Sequence, residues 1–517
     1  MIPASSDSPV SESTKTPGAA PLTGTEVFRL AKVVGILAIL SSAVVNEFGV
    51  TINYASTNSL TVYPGAQNLV PLAVVVAGLV LIPKIFLYMR FSAHAPRAGS
   101  IYVWISRSLS EPIGFIGSFL NWIGICGAVG LIAYAGATFL SAALILAGYS
   151  GGTALVTPEG HLIFGLALIW AVFGLHVAGV RVYGLSVTIL LGVILLSVVV
   201  IAVIGFTTTP HTFVTDAYVA THVRLSPPVH PRAPNAGAFL AVVGLMIAAY
   251  GGVNSATFLG GEARDATRTV PRGLFLGWAV AVVIYAIVIF AVFHAVPYWA
   301  TLGLIHHNAG SFATAPGLIG VVAPHILGVA LGLIVALIVC KTMLPLMLVQ
   351  SRQAFAWAED GLFPKVFQAT SHRQAPSAAL LLGASLGSLF LIQSTFIGWE
   401  IGIVIRSLAI LLMLLLVAAG ALRMKYGRSF RGRTEPWVVG ITHGFGVTVA
   451  AALGIVVAVV VGQSVFVTPG VALQFQPWFQ LVIAAVVGAG LYYWFGPHRG
   501  LTAKGQWTEV NTSLPLE

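Results

Sequence analysis

Apolar stretches recur along this chain from about residue 30 to residue 495, and short segments between them hold most of the polar side chains. The longer stretches reach 18 residues or more, enough to cross the ~30 Å hydrocarbon core of a bilayer as a helix. The pattern predicts spans at about 30–60, 69–88, 113–147, 162–177, 185–206, 239–259, 274–296 and 326–349, then near 377–393, 400–421, 437–462 and 477–495. The fold class expected is an all-α polytopic membrane protein with about 12 transmembrane helices. A short amphipathic piece precedes the third span. Residues 207–237, with Pro210, Pro227, Pro228, Pro231 and Pro234, read as the longest loop. Residues 1–27, rich in Ser, Thr, Pro and Gly, read as a disordered tail, and 497–517 as a second one. The segment ending Asp360-Gly361-Leu362-Phe363-Pro364 reads as a helix end, with Gly361 at the C′ position and Pro364 blocking continuation.

Two spans carry polar interruptions. The first holds Val45-Asn46-Glu47-Phe48-Gly49-Val50, and the sixth holds Tyr250-Gly251-Gly252-Val253-Asn254. A helix interrupted at membrane depth exposes backbone N–H and C=O groups, which lipid cannot satisfy. It is tolerated against protein or a water-filled cavity, where half-helix ends make sites for small charged solutes. Asn46, Glu47, Phe48, Gly49, Tyr250, Gly251, Gly252 and Asn254 are therefore the candidate substrate-binding residues. Gly251 and Gly252 suit a break because glycine tolerates unusual φ and ψ. Tyr250 and Asn254, at i, i+4, would share one face of a continuous helix, as a polar rim or as packing.

Composition and charge narrow the class. With 57% hydrophobic residues, 8% charged residues and a mean hydropathy of +0.95, a soluble fold is excluded. The net charge of +10 reports topology rather than a nucleic-acid partner. Arg29, Lys32, Arg90, Arg97, Arg181, Arg264, Arg268, Arg272, Arg352, Lys365, Arg373 and the cluster from Arg423 to Arg433 fall on one side, and only Arg224 and Arg232 on the other. That asymmetry puts both termini in the cytoplasm, and the expected location is the plasma membrane. Cys126 and Cys340 form neither a disulfide framework nor a metal spacing and read as core residues. No cofactor is implied. No span carries an HExxH pair, a zinc-like Cys/His cluster or a GxSxG elbow, so nothing points to an enzyme.

Four ionisable residues fall within spans: Glu47, Lys341, Glu400 and Arg406. Each costs at least a few kcal/mol there unless paired, neutralised or hydrated. Lys341 lies eleven residues before Arg352, about 16 Å along a helix, which places it near mid-membrane. Glu400 and Arg406 lie on different faces of their helix. Arg406 either closes an outer gate or anchors its helix to a carbonyl. Glu262, Arg264, Asp265, Arg268 and Arg272 read as a latch between loops at one end of the bundle. His176, His294 and His443 lie near span ends and are assigned no role.

Three segments carry a resemblance. The first is Pro96-Arg97-Ala98-Gly99-Ser100-Ile101-Tyr102, with Gly114-Phe115 and Asn121-Trp122 downstream. The second runs from Gly261-Glu262 through Arg268-Thr269-Val270-Pro271-Arg272. The third runs from Ser351-Arg352 through Asp360-Gly361-Leu362-Phe363-Pro364-Lys365, with Pro376 beyond. In this order, between these spans, the chain resembles the amino acid–polyamine–organocation (APC) superfamily over residues 28–430.

The resemblance implies a LeuT-like five-plus-five inverted repeat, at about 28–206 and 236–422, with the first and sixth helices broken. Two additional helices would fill 431–496. It also implies a small-molecule substrate, an amino acid above all, bound between the breaks and moved by alternating access. Polyamines or other cations are the alternative, which a carboxylate at the first break would favour. The family's first break usually has a Gly-Ser-Gly-type motif, whereas this chain has Asn46-Glu47-Phe48-Gly49-Val50. In related transporters the first break and the middle of the eighth helix frame a sodium site, which in some proton-coupled relatives a lysine replaces. Lys341 is expected to take that role and to pair with Glu47, coupling transport to protons. Otherwise Lys341 faces a hydrated crevice and Glu47 binds backbone donors at the break.

Overall fold

The computed structural model describes residues 30, 32–49, 52–53, 56–229, 233–307, 314–397, 401–466 and 472–499. Val50, Glu400, the tail 1–27 and residues 500–517 lie outside these residues, while 497–499 of the expected second tail are helical. In chain order the α-helices are α1 (Ile36–Glu47), α2 (Ser56–Val62), α3 (Val70–Val80), α4 (Ile82–His94), α5 (Ile101–Ser108), α6 (Glu111–Leu146), α7 (Pro158–Val177) and α8 (Val180–Thr207). They continue as α9 (Pro210–Thr221), α10 (Ala236–Ile247), α11 (Ala266–Ala295), α12 (Tyr298–His306), α13 (Ala315–Val322), α14 (His325–Lys341) and α15 (Met343–Glu359). The last are α16 (Ser377–Ile397), α17 (Ile401–Tyr426), α18 (Pro436–Thr442), α19 (Gly446–Phe466) and α20 (Pro477–Arg499).

No strand occurs among the described residues, and 11 helical stretches are long and apolar enough to cross a membrane. About 12 were expected. The difference lies in the first span, where α1 has only 12 residues before the polar island ends it. Large apolar side chains cover the outward faces. On α8, Leu185, Ile189, Leu196, Val199 and Val203 are each more than half exposed, at spacings of three, four and seven residues that keep them on one face, a lipid-facing stripe.

Local chemistry sets the boundaries. Asn235, Thr157 and Thr314 cap α10, α7 and α13, their side-chain oxygens accepting backbone N–H groups of the first turn. The expected loop at 207–237 contains α9. Pro210 starts that helix rather than preventing it, because proline at the first helical position gives up only an N–H that would be orphaned anyway. Gly361 sits at φ +77° after α15. The N–H groups of Leu362 and Gly361 return to the carbonyls of Trp357 and Ala358 at 2.9 and 3.1 Å, a Schellman end as the sequence indicated. Prolines inside two spans mark kinks. Pro83 has no N–H for the Leu79 carbonyl, and Pro345 has none for the Lys341 carbonyl. The chain bends at these points, between α3 and α4 and between α14 and α15.

α6 is the hub and packs against α14, α16, α17 and α20. α1 packs against α8, α11 and the 3₁₀ segment that follows α10. α15 is buried on all sides from Met343 to Ala358. α19 lies on α17 and α4, at the margin.

The three segments behind the resemblance converge at one end of the bundle. A Cβ on Gly260 would lie 2.8 Å from the Arg97 backbone nitrogen, and one on Gly99 would lie 2.4 Å from Ala356 Cβ, so both glycines permit close approach. Ser100 and Thr257 share a hydroxyl hydrogen bond. Both oxygens of Asp360 are engaged by Arg107, and the Tyr102 hydroxyl donates to one of them. Arg352 pairs with Glu262 at 2.6 Å, with both side chains buried. Beside it Val34 and Ala263 form a parallel bridge, through Val34 N–H to Glu262 O and Arg264 N–H to Val34 O, both 2.9 Å. Of the expected latch, Glu262 thus carries the buried bond, while Asp265 and Arg268 make only an exposed contact at 3.9 Å. Burial works against the Arg107 charge, but the Asp360 carboxylate holds its pKa above the ordinary value. Burial, and then Asp360, push the Tyr102 phenol well above its usual range.

Candidate functional site

The two interruptions meet in the middle of the bundle. α1 ends at Glu47, and α10 gives way to 3₁₀ turns at Ala248–Tyr250 and Gly252–Leu259. Glu47 Oε1 accepts the Val253 N–H, and Asn46 Nδ2 donates to the Gly252 carbonyl at 2.8 Å. One turn back along α1, Ser255 Oγ donates to the Ser42 carbonyl at 3.2 Å, and the Ser42 and Tyr183 hydroxyls lie 2.5 Å apart.

The glycines act here by their size, not by unusual dihedrals. Gly251 has φ −72° and ψ −27°, ordinary for any residue, which corrects the sequence-based expectation. A Cβ on Gly252 would lie 2.8 Å from Asn46 Cγ, and one on Gly49 would lie 2.9 Å from Thr342 Oγ1. The Tyr250–Asn254 face does not form either, because 3₁₀ geometry replaces the α-helical stacking of i and i+4. The Tyr250 ring is buried against Tyr285 with centroids 4.9 Å apart, and its hydroxyl donates to the Val74 carbonyl at 3.0 Å. Phe48 contributes a third ring, 6.1 Å from Tyr285.

Three cations surround this junction. Lys341, at the kink that Pro345 imposes, donates from Nζ to the carbonyls of Val45 and of Phe48, the latter at 2.6 Å. It thereby caps the C-terminal carbonyls of α1, where the helix dipole favours a positive charge. It makes no ion-pair contact with Glu47, although the two interact electrostatically. The expected direct pair is replaced by two separate contacts, Lys341 on carbonyls and Glu47 on a backbone N–H. Lys84, beside the Pro83 kink, donates to the Tyr250 carbonyl at 3.3 Å and lies 5.6 Å from the centre of the Tyr88 ring. Arg406 is half-buried, with its backbone about 3.0 Å from where a Cβ on Gly124 would sit. Glu47 interacts electrostatically with Lys84 and Arg406 as well.

Three buried acceptors in the cluster have no hydrogen-bond donor among the described residues: Glu47 Oε2, Asn46 Oδ1 and Asn254 Oδ1. Their residues are at most 9% exposed. Buried polar atoms are normally paired, so unmet acceptors on Asn46 and Glu47, which hold Gly252 and Val253, and on Asn254 next in the chain suit donors from outside the protein. At the end of the bundle opposite the knot formed by the Arg107–Asp360 and Arg352–Glu262 pairs, a cavity of about 920 Å³ lies over the start of α10, lined by Tyr63, Asn235, Tyr298, Trp299 and His306 among others.

The other sequence candidates fall outside the cluster. His176 and His294 donate to the carbonyls of Leu344 and Gly205 at 2.9 and 3.1 Å, as satisfied histidines do. Cys126 is buried and Cys340 half-buried, both as free thiols, and no group of three potential metal ligands occurs among the described residues. The sequence reading missed Lys84 and Arg107. Lys84 lies only six residues before Arg90, so it passes for the inner end of its span, and Arg107 passes for one more loop charge. The signal for Lys84 was available in Pro83-Lys84, a lysine beside a kink inside an apolar run.

A profile of the amino acid permease family matches residues 32–487. The branched-chain amino acid permease BcaP of Lactococcus lactis subsp. cremoris is 26% identical over 367 residues, which cover 67% of this chain and 74% of that protein.

Proposed function

The chain belongs to the amino acid permease family, and on that premise we propose that it is a secondary active transporter that carries neutral amino acids across the plasma membrane by alternating access. The family and the relative support amino acid transport and a multi-pass membrane protein. The relative is a branched-chain amino acid permease, which makes leucine, isoleucine and valine the first substrates to try.

The observation that carries the reading is the junction itself. Two interrupted segments bring Asn46, Glu47 and Asn254 together with unmet acceptors, walled by the rings of Phe48, Tyr250 and Tyr285. Within the proposal, α1 and the α10–3₁₀ segment are the broken first and sixth helices of a five-plus-five repeat. Residues 28–206 and 236–422 are its halves, and 431–496 is an addition. The knot closes the cytoplasmic end, where both termini lie, and the 920 Å³ cavity is the outer vestibule. Lys341 stands where a sodium ion would otherwise hold the α1 carbonyls, and with Glu47 it couples uptake to protons. Three cations against one carboxylate disfavour a polyamine.

The test is uptake into proteoliposomes of labelled amino acids and polyamines, with inward proton and sodium gradients imposed separately. Leucine uptake driven by protons and not by sodium is expected. Uptake of polyamines, or of no amino acid, would overturn the reading.

A further inference from the structure

Of the two fully buried lysines of the cluster, Lys84 is the one whose charge is poorly matched by its surroundings. Lys341 has two carbonyls and the end of α1. Arg406 is only half-buried. Lys84 is 1% exposed, and its one hydrogen bond among the described residues is a 3.3 Å contact to the Tyr250 carbonyl, at the long edge of the useful range. An ammonium has three N–H donors, so this contact leaves two to spare. A buried charge so weakly met is costly unless an anion joins it.

The opposite deficiency lies close by. Glu47 Oε2, Asn46 Oδ1 and Asn254 Oδ1 are acceptors without donors; the Tyr285 hydroxyl approaches Glu47 but gives its proton to the Ala249 carbonyl at 3.0 Å. Glu47 and Lys84 are electrostatic partners with no ion-pair contact, each the leading charge acting on the other. Spare donors on a cation at the Tyr250 carbonyl, and spare acceptors on a carboxylate held by the Val253 N–H three residues on, form the complement of a zwitterion.

We propose that Lys84 is the receptor for the substrate carboxylate, and that Glu47 Oε2 with Asn46 Oδ1 and Asn254 Oδ1 receives the substrate ammonium. The ligand class is an α-amino acid with a free carboxylate and a free ammonium, read at both ends by side chains. The inference rests on the amino acid reading above and adds to it the group that recognises the carboxylate. It also accounts for Asn46-Glu47-Phe48-Gly49 at the first interruption: with a lysine for the carboxylate, a stretch of open backbone donors is not required.

The experiment measures binding to the purified full chain in nanodiscs. The probes are leucine, leucinamide, which keeps the ammonium and lacks the carboxylate, and 4-methylpentanoate, which does the reverse. Wild type is expected to bind leucine at least about 10-fold more tightly than either analogue. Lys84→Met should weaken leucine and 4-methylpentanoate by about 10- to 100-fold, the worth of a charged hydrogen-bond partner, and leave leucinamide within about threefold. Lys84→Arg should keep the preference for leucine over leucinamide, and Glu47→Gln should show the mirror pattern, losing leucinamide and sparing 4-methylpentanoate. Equal losses of leucine and leucinamide in Lys84→Met would overturn the proposal, because a structural lysine acts on both alike. Wild type binding leucinamide as tightly as leucine would overturn it without any variant. Wild type binding no amino acid would overturn the transport reading itself.

Discussion

Asp360 offers the sharpest test of the knot that closes one end of the bundle. Its Oδ1 accepts from Arg107 at 2.6 Å, and its Oδ2 accepts from the other guanidinium nitrogen and from the Tyr102 hydroxyl. The side chains are 2% and 6% exposed, so water replaces none of these bonds. Asp360→Asn removes the charge and turns an NH₂ toward guanidinium N–H groups, yet arginine stays protonated. Leaving a buried charge without its partner costs about 3–5 kcal/mol. At about 1.4 kcal/mol per tenfold, the closed knot loses about two to three and a half powers of ten against any open form. The reporter is a cysteine at Ser100, a fully buried position in the knot, in a chain whose Cys126 and Cys340 are replaced. Its labelling by a water-soluble maleimide should accelerate about 100- to 4,000-fold in Asp360→Asn. Replacing both partners with methionine should bring the rate back to within about tenfold of the reporter alone, since two apolar groups leave no stranded charge. A rate within threefold of the reporter in the single variant, or a double variant as fast as the single, would refute the reasoning.

Three other outcomes follow from the geometry. Lys341→Met strands the carbonyls of Val45 and Phe48, and it should abolish proton-driven leucine uptake in proteoliposomes while the protein still elutes as a single species; uptake that still follows the proton gradient would end the coupling role. Gly252→Ala puts a methyl 2.8 Å from Asn46 Cγ and should weaken leucine binding by about 5- to 100-fold, the effect of roughly 1–3 kcal/mol of overpacking, read by titration in nanodiscs. Gly260→Ala meets backbone below 3 Å, at Arg97 N and Pro96 C, so it should lower the apparent melting temperature more than Gly251→Ala, whose methyl comes below 3 Å only to the Ile410 side chain and lies 3.2 Å from the Ala248 carbonyl.

The large features were legible because each follows from neighbours in sequence. Apolar length gave the spans, and Gly361 with Pro364 gave the end of α15. What lay beyond reach depends on residues far apart. The glycines at 251 and 252 looked like hinges, but their importance comes from the side chains opposite, Ile410 and Asn46, which no local pattern reveals. Lys341 is buried within its helical stretch, yet its partners are carbonyls, and a backbone acceptor leaves no mark in the sequence. The Arg107–Asp360 bond joins residues 253 positions apart, and nothing near either one announces the other.

α15 is enclosed on every side for sixteen consecutive residues, from Met343 to Ala358. An ordinary membrane helix has one face in lipid, where one apolar residue serves as well as another, so its tolerance to substitution rises and falls every 3.6 residues. α8, with its stripe from Leu185 to Val203, should show that rhythm in a saturation screen. α15 should not. Its tolerance should be uniformly low through Gln350, Ser351, Arg352 and Gln353, with no permissive side, and over these four turns drift among relatives would be held back at every position rather than at alternate faces.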